Sequence, residues 1–284
     1  MGRDASYRLV TGLLRLVVRI YFRRVEVSGT ELVPSRGGGL VISWHPNGLV
    51  DPGLILTHLP RHVAFGARDG LFRIPVLGAL MRAVGAVPIH RAVDARGSLE
   101  ARRAANQKSL AALAQSIARG SFAALFPEGV SHDAPHLREL KTGAARLYYQ
   151  ARQLDGGEPP AIVPVGLHYD EKHLFRSHAL VAFHAPLELP PELDVTPPVD
   201  EPEEVLRERC RKLTALFETT LTEVVHATED WKLHHLMHRA RKLVRAERAE
   251  RAGAEPGKPR MQEKTLGFAR VWSRYYARLQ THPG

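Results

Sequence analysis

The sequence predicts an α/β domain in which a mixed β-sheet is flanked by helices, with an amphipathic helix before it and a helical extension after it. Three observations predict this. Short apolar runs such as Gly39–Ser43 and Ser121–Phe126 alternate with longer stretches of helical periodicity as far as about residue 185. Two of those runs end in tight polar turns, His45-Pro46-Asn47-Gly48 and Phe126-Pro127-Glu128-Gly129. A proline-rich stretch from Pro186 to Pro202 then breaks the alternation and reads as a linker to a basic, helical C-terminal part. The expected divisions are therefore 1–24 for the first helix, 25–190 for the α/β domain, and 191–284 for the linker and C-terminal helices.

Taken in order, Tyr7 to Phe22 is rich in Leu, Val and Ile. At 100° per residue it gathers Arg8, Arg15, Arg19 and Arg23 on one narrow stripe. A broad apolar face beside a cationic stripe suits a helix lying in an anionic membrane interface. The same pattern also suits a helix packed on its own domain with its arginines in water. Val25-Glu26-Val27 alternates as a strand does, and Gly39 to Ser43 reads as a buried strand. Asp51-Pro52 resembles a helix start, with Asp as N-cap and Pro at the first helical position. His62 to Gly66 is a strand candidate, Phe72 to Val84 a helix stopped by Gly85, and Ala86 to Ile89 a further strand. A long helix is expected from Ser98 to Arg119, closed by Gly120, and another from Thr142 to Arg152. Ala161 to Leu167 and Ala179 to Phe183 complete the strands. Beyond the linker, Leu206, Leu213, Leu216 and Leu221 share one helical face.

Bulk properties narrow the partners. A chain of 284 residues, 44% hydrophobic and 25% charged, can bury a core. A formal net charge of +10 favours anionic partners, either nucleic acid or phosphate-bearing lipids and substrates. Aromatic content of 7%, with no interleaved basic-aromatic stripe, argues against nucleic acid. One cysteine, Cys210, rules out an internal disulfide. The N-terminal stretch is too interrupted by arginine for a signal peptide or a bilayer-spanning helix.

The chemistry-bearing residues sit at the turns. His45 and Asp51 suit a general base and the carboxylate that orients it, and the N–H groups of the Asn47-Gly48 turn suit a developing oxyanion. Arg91 follows a strand end in Gly85-Ala86-Val87-Pro88-Ile89-His90-Arg91, and its forked guanidinium suits phosphate. Glu128 is expected to accept a hydrogen bond from a substrate hydroxyl or to orient Arg91, since a carboxylate repels a bound phosphate. Lys141, just before the helix start at Thr142-Gly143, makes an anion site. His132 with His136, and His234 with His238, have i, i+4 spacing that a helix could turn into a metal site. No acidic or cysteine partner completes either pair in sequence, so no metal is expected. Serine-hydrolase elbows and phosphate-binding loops are absent from the sequence.

In their order these blocks resemble the glycerolipid acyltransferase family, which includes glycerol-3-phosphate and lysophosphatidic acid acyltransferases. His45…Asp51 resembles its first block and Gly85…Arg91 its second. Phe126-Pro127-Glu128-Gly129 resembles the third and Ile162-Val163-Pro164-Val165 the fourth. The family pattern usually has four residues between the histidine and the aspartate, whereas Pro46 to Val50 makes five. With Phe-Pro-Glu-Gly-Val-Ser-His-Asp and Leu-Lys-Thr-Gly-Ala-Ala-Arg, that spacing looks closest to a fungal-type glycerol-3-phosphate acyltransferase-like branch. The resemblance implies a glycerol-3-phosphate acyltransferase-like fold, with His45 and Asp51 catalytic and Arg91, Glu128, Gly129 and Lys141 holding the acceptor. It further implies no cofactor beyond an acyl-CoA or acyl-carrier-protein co-substrate. The expected partners are an acyl thioester donor, a phosphorylated glycerol acceptor and an anionic phospholipid surface, with the protein peripheral or monotopic on the cytoplasmic face. Two alternatives remain open: a lysophospholipid acyltransferase or transacylase, and a non-catalytic peripheral lipid-binding protein.

Overall fold

The computed structural model describes residues 3–90, 98–155, 158–255 and 257–282. Seven strands form one sheet: β1 (Arg24–Ser28), β2 (Gly39–Ser43), β3 (Val63–Arg68), β4 (Val87–Ile89), β5 (Phe122–Leu125), β6 (Ala161–Tyr169) and β7 (His178–Phe183). Their order is β1-β7-β6-β2-β5-β3-β4. Strands β2 to β6 run parallel to one another, β7 is antiparallel to β6, and β1 is parallel to β7. The sheet is therefore mixed. The C-terminal ends of its five parallel strands open on one edge, where such sheets gather their reactive groups.

β2 sits at the centre with all five residues buried, which is why it reads as an unbroken apolar run. Its side chains alternate between two cores. Val41 faces a cluster with Leu54, Ile55, Val63, Phe65, Val163 and Phe183. Leu40 and Ile42 face a second cluster with Leu113, Ile117, Leu147, Tyr148, Leu213 and Phe217. Helices α1 (Arg3–Tyr21), α2 (Val50–His58) and α3 (Pro75–Ala83) contribute to the first layer. Helices α4 (Leu99–Ala118), α5 (Gly143–Asp155) and α6 (Glu203–Val225) build the second.

Several expectations need correcting. The helix expected over 72–84 is a 3-10 turn, Asp69–Arg73, followed by α3. Pro75 has no N–H to continue a helix through it, so it opens a new one instead. Asp51 is not the N-cap of α2: Leu49 holds that position and Asp51 lies inside the first turn. The segment 186–202 is not a loose linker. Leu193 is buried, and Leu187 and Leu189 pack on the second core. Tyr149 donates to the Leu193 carbonyl at 3.0 Å, and Arg152 pairs with Asp194. The C-terminal part is likewise no separate body at its start, since Leu213, Phe217 and Leu221 of α6 fill the same core as Leu40.

Two further helices, α7 (Trp231–Arg251) and α8 (Met261–Thr281), close the chain. The N-terminus of α8 is fastened to edge strand β1: the Glu26 carboxylate accepts from the backbone N–H groups of Met261 and Gln262, both at 3.0 Å. That placement satisfies two otherwise open helix donors with a charge of the favoured sign. Helix α1 packs on its own domain through one side and exposes the other. Val10, Val18 and Phe22 are buried against the first core, while Leu9, Leu13, Leu16, Val17 and Ile20 stand 49–65% exposed. Arg15 leaves the expected stripe to donate to the Thr57 carbonyl at 3.2 Å.

A group of histidines lies under α7 and α8. Phe268 packs against His226, His234 and His238, and His226 against His168. Burial pushes His168 and His238 down to about 3 and His226 and His234 down to about 4. Unfolded, each titrates near 6.5, so at lower pH the unfolded chain binds protons that the folded one refuses. Stability is thus complete above about pH 6.5 and declines as pH falls toward the folded values. Thermal melts should show the midpoint dropping already between about pH 6.5 and 5, above the carboxylate range. A midpoint that is flat in that interval would contradict this account.

Candidate functional site

The turn after β2 is built around Asp51. Its side chain is wholly buried, and its Oδ2 lies 2.8 Å from His45 Nδ1. The same oxygen accepts from the Asn47 backbone N–H at 2.6 Å, while Oδ1 accepts from the Tyr169 hydroxyl. A carboxylate can only accept here, so the His45 proton sits on Nδ1 and Nε2 keeps its lone pair. The His45 ring is 18% exposed and stacks on Phe126 at 4.1 Å, nearly parallel. One nitrogen is thus oriented from behind, and the other is available to a reactant.

The backbone holding this turn is knitted to β6. Ser43 Oγ donates to the Val165 carbonyl at 2.8 Å, and the Trp44 indole N–H to the Leu167 carbonyl at 2.9 Å. Tyr169 ends β6, so the parallel edge delivers its hydroxyl to the carboxylate of the β2 turn. Burial and the neighbouring Asp51 charge hold the Tyr169 hydroxyl well above its ordinary value, so it remains a donor. The sequence reading missed Tyr169. Its signal was its place at the end of the fourth block's strand, on the same sheet edge as His45.

Glu128 follows β5 and is the second buried carboxylate, with its side chain fully covered. Oε2 accepts from the His45 backbone N–H at 2.9 Å. Oε1 accepts from the Arg138 backbone N–H at 2.8 Å and lies 2.5 Å from His132 Nε2. The His132 backbone N–H in turn donates to the His45 carbonyl at 3.1 Å. Among the described residues both Glu128 oxygens are engaged by the chain's own donors; the expected contact with Arg91 falls outside the described residues. His132 was also missed, because the spacing to His136 drew attention to a helix that is not there. His136 instead lies 3.1 Å from the Glu229 carbonyl.

Gly129 turns the chain at φ 70, and a Cβ there would sit 3.0 Å from Lys141 Nζ. A side chain would both strain the turn and crowd the lysine. Lys141 donates its backbone N–H to the Pro127 carbonyl at 2.9 Å, directly before α5. Beside it opens a cavity of about 610 Å³, lined by Val130, His136, Leu137, Arg138 and Lys141, with Glu128 at its inner wall. Arg91 lies outside the described residues. The chain reaches it from β4, whose last turn is held by a pair of hydrogen bonds between His90 and Asn106 at 2.8 and 2.9 Å.

Two further readings change. The Asn47 backbone N–H, expected to face an oxyanion, is already bonded to Asp51. The Asn47 side-chain Nδ2, by contrast, is buried without a hydrogen-bond partner among the described residues. On α7, His234 and His238 place their Nε2 atoms 3.1 Å apart, and no group of three or more potential metal ligands occurs among the described residues.

Replacing Glu128 by Ala would strand the backbone N–H groups of His45 and Arg138 and take from His132 Nε2 its carboxylate partner. The expected cost is about 2–4 kcal/mol of folding stability. Chemical denaturation of Glu128→Ala beside Glu128→Gln checks this, with the glutamine variant expected to lose less; equal stability of wild type and alanine variant would contradict it.

With the geometry in place, comparison with known proteins is informative. The acyltransferase family profile matches residues 24–168. An uncharacterized acyltransferase of Schizosaccharomyces pombe is 23% identical over 68% of this chain and 40% of its own length. Glycerol-3-phosphate O-acyltransferase 1 of Saccharomyces cerevisiae is 39% identical over 27% of this chain and 10% of its own length. The matched region therefore spans two fifths or less of these relatives. A solved 1-acyl-sn-glycerophosphate acyltransferase from Thermotoga maritima superposes at a TM-score of 0.49 with 17% identity, over 77% of this chain and 81% of that one. The family match runs from β1 to the end of β6 and takes in both buried carboxylates and the histidine they hold: the chain belongs to the acyltransferase family.

Proposed function

We propose that this chain transfers a fatty acyl group from an acyl thioester to a hydroxyl of glycerol-3-phosphate or 1-acylglycerol-3-phosphate. The observation that carries the reading is the His45–Asp51 pair, 2.8 Å apart at the open edge of the parallel strands. A binding module needs no oriented base, which favours an enzyme over a non-catalytic lipid-binding protein. The yeast relative's name supports the acceptor class.

The chemistry follows from the groups present. His45 Nε2 takes the acceptor's hydroxyl proton as the oxygen attacks the thioester carbonyl. Asp51 steadies the imidazolium that forms, and the Tyr169 hydroxyl spreads the carboxylate's charge. Collapse of the tetrahedral intermediate breaks the C–S bond, and His45 returns the proton to the departing thiolate. The products are an ester and a free thiol. Glu128 acts through the backbone, holding the His45 turn in place. Lys141, given room by Gly129, and Arg91 serve the acceptor phosphate.

A lipid surface suits both substrates. No helix among the described residues is long and apolar enough to cross a membrane. The exposed stripe Leu9, Leu13, Leu16, Val17 and Ile20, flanked by Arg8, Arg19 and Arg23, supports α1 lying in an anionic interface instead.

A radiolabelled acyl-CoA assay offering glycerol-3-phosphate and 1-acylglycerol-3-phosphate side by side tests the reading. His45→Ala should lower turnover at least about 10²-fold, and near-wild-type turnover would sink the assignment. Tyr169→Phe removes one of the three donors that hold the Asp51 carboxylate and should lower turnover about threefold to tenfold. Wild-type turnover in that variant would detach Tyr169 from the base.

A further inference from the structure

The loop between β6 and β7, residues 170–177, is short, formally neutral (Asp170 and Glu171 against Lys172 and Arg176) and apolar at its tip. Leu174 and Phe175 are 58% and 63% exposed. Two adjacent large apolar side chains at a loop tip are a cost in water unless something covers them. Around them stand Glu171, Lys172, His173 and Arg176.

This loop is continuous with the exposed face of α1. The Phe175 ring meets Tyr21 edge-on at 6.1 Å, and Tyr21 stands one helical turn beyond exposed Val17. Four hydrogen bonds fasten the loop to the end of the helix, one of them from the Tyr21 hydroxyl to the Lys172 carbonyl at 3.5 Å. Arg176 donates its backbone N–H to the Tyr21 carbonyl at 2.7 Å and its guanidinium to the Arg19 carbonyl at 3.2 Å. Arg23 donates to the Ser177 carbonyl at 2.8 Å. Arg176 is held at φ 63, a left-handed conformation that costs a side-chain-bearing residue and that these contacts maintain. The apolar stripe of α1 thus runs on into Leu174 and Phe175, with arginines along its border.

The same loop reaches the catalytic turn. Lys172, only 16% exposed, donates to the Pro46 carbonyl at 2.9 Å and pairs with Asp133 at 2.5 Å. Pro46 follows the candidate base, and Asp133 follows His132, which bonds to the His45 carbonyl. One element therefore carries exposed apolar groups at its tip and a structural grip on the His45 turn at its base.

We propose that the 170–177 loop is a second bilayer-docking element. Leu174 and Phe175 enter the interface of an anionic phospholipid membrane alongside α1, and Lys172 holds the His45 turn at that surface. A bilayer is the occupant because the apolar stripe shared by α1 and the loop tip is bordered by the exposed Arg8, Arg19, Arg23 and Arg176, the complement of acyl chains beneath anionic headgroups. The inference rests on the reading of α1 as an interfacial helix, and its test does not involve acyl transfer.

The full chain is titrated with phosphatidylglycerol-rich vesicles and with pure phosphatidylcholine vesicles. Leu174→Ser combined with Phe175→Ser should weaken binding to the anionic vesicles about tenfold while the thermal midpoint holds. A polarity-sensitive fluorophore on Phe175→Cys should shift to the blue on adding vesicles, and Cys210 is buried and leaves the label selective. The same label on Leu154→Cys, at the end of α5 on the opposite face of the sheet, should not shift. Wild-type affinity in the double variant, or an unmoved label at 175, would overturn the proposal while leaving α1 at the membrane. Failure of the wild-type chain to bind anionic vesicles would remove both elements from the bilayer, and the acyl-transfer reading would still stand or fall by its own assay.

Discussion

A carboxylate buried out of water must be surrounded by donors, and Asp51 meets that demand with groups from three places in the chain. His45 Nδ1 comes from the end of β2, the Asn47 N–H from the turn, and the Tyr169 hydroxyl from the end of β6. Removing any one of them would leave charge uncompensated where the dielectric is low. The requirement fixes the ring orientation of His45 more firmly than packing alone would. It also dictates which nitrogen faces outward.

Glu128 repeats the device one strand away. It pins the backbone rather than the ring: the His45 N–H rests on its carboxylate, and the His45 carbonyl receives the His132 N–H. The candidate base is thus held through its side chain by one buried acid and through its main chain by another. Both acids leave the C-terminal ends of parallel strands, which is why distant sequence blocks meet. Arrangements of this kind let a site stay ordered before its substrate arrives.

Outside this edge, the basic C-terminal part is more integrated than its composition suggests. Helix α6 completes the second core, the proline-rich segment lies along α5, and α8 is fastened to β1 by Glu26. Exposed apolar side chains lie on α1 and on the loop that Phe175 joins to it, and also on α7 and α8 at Leu236, Leu243 and Leu266. The His45 turn and the exposed apolar side of α1 share one connecting element, the 170–177 loop.

Much of this was legible in the order of residues. Strand and helix periods determined the α/β class and most element positions, since side-chain alternation reports burial on one face or two. The His45 and Glu128 turns stood out because a polar cluster directly after an apolar run marks a strand end. Sequence by itself also determined the cationic balance and the amphipathic pattern of α1. Tertiary structure decided everything that depends on which strand lies beside which. The pairing of β2 with β6 brought Tyr169 to Asp51. The loop after β5 carried Glu128 and His132 around the His45 backbone, where the carboxylate supports the main chain. Asp51 became a first-turn residue with three donors instead of an N-cap, and a proline-rich linker became part of the packing. Local pattern reports what a residue prefers, whereas a buried charge is satisfied only by partners that chain topology delivers.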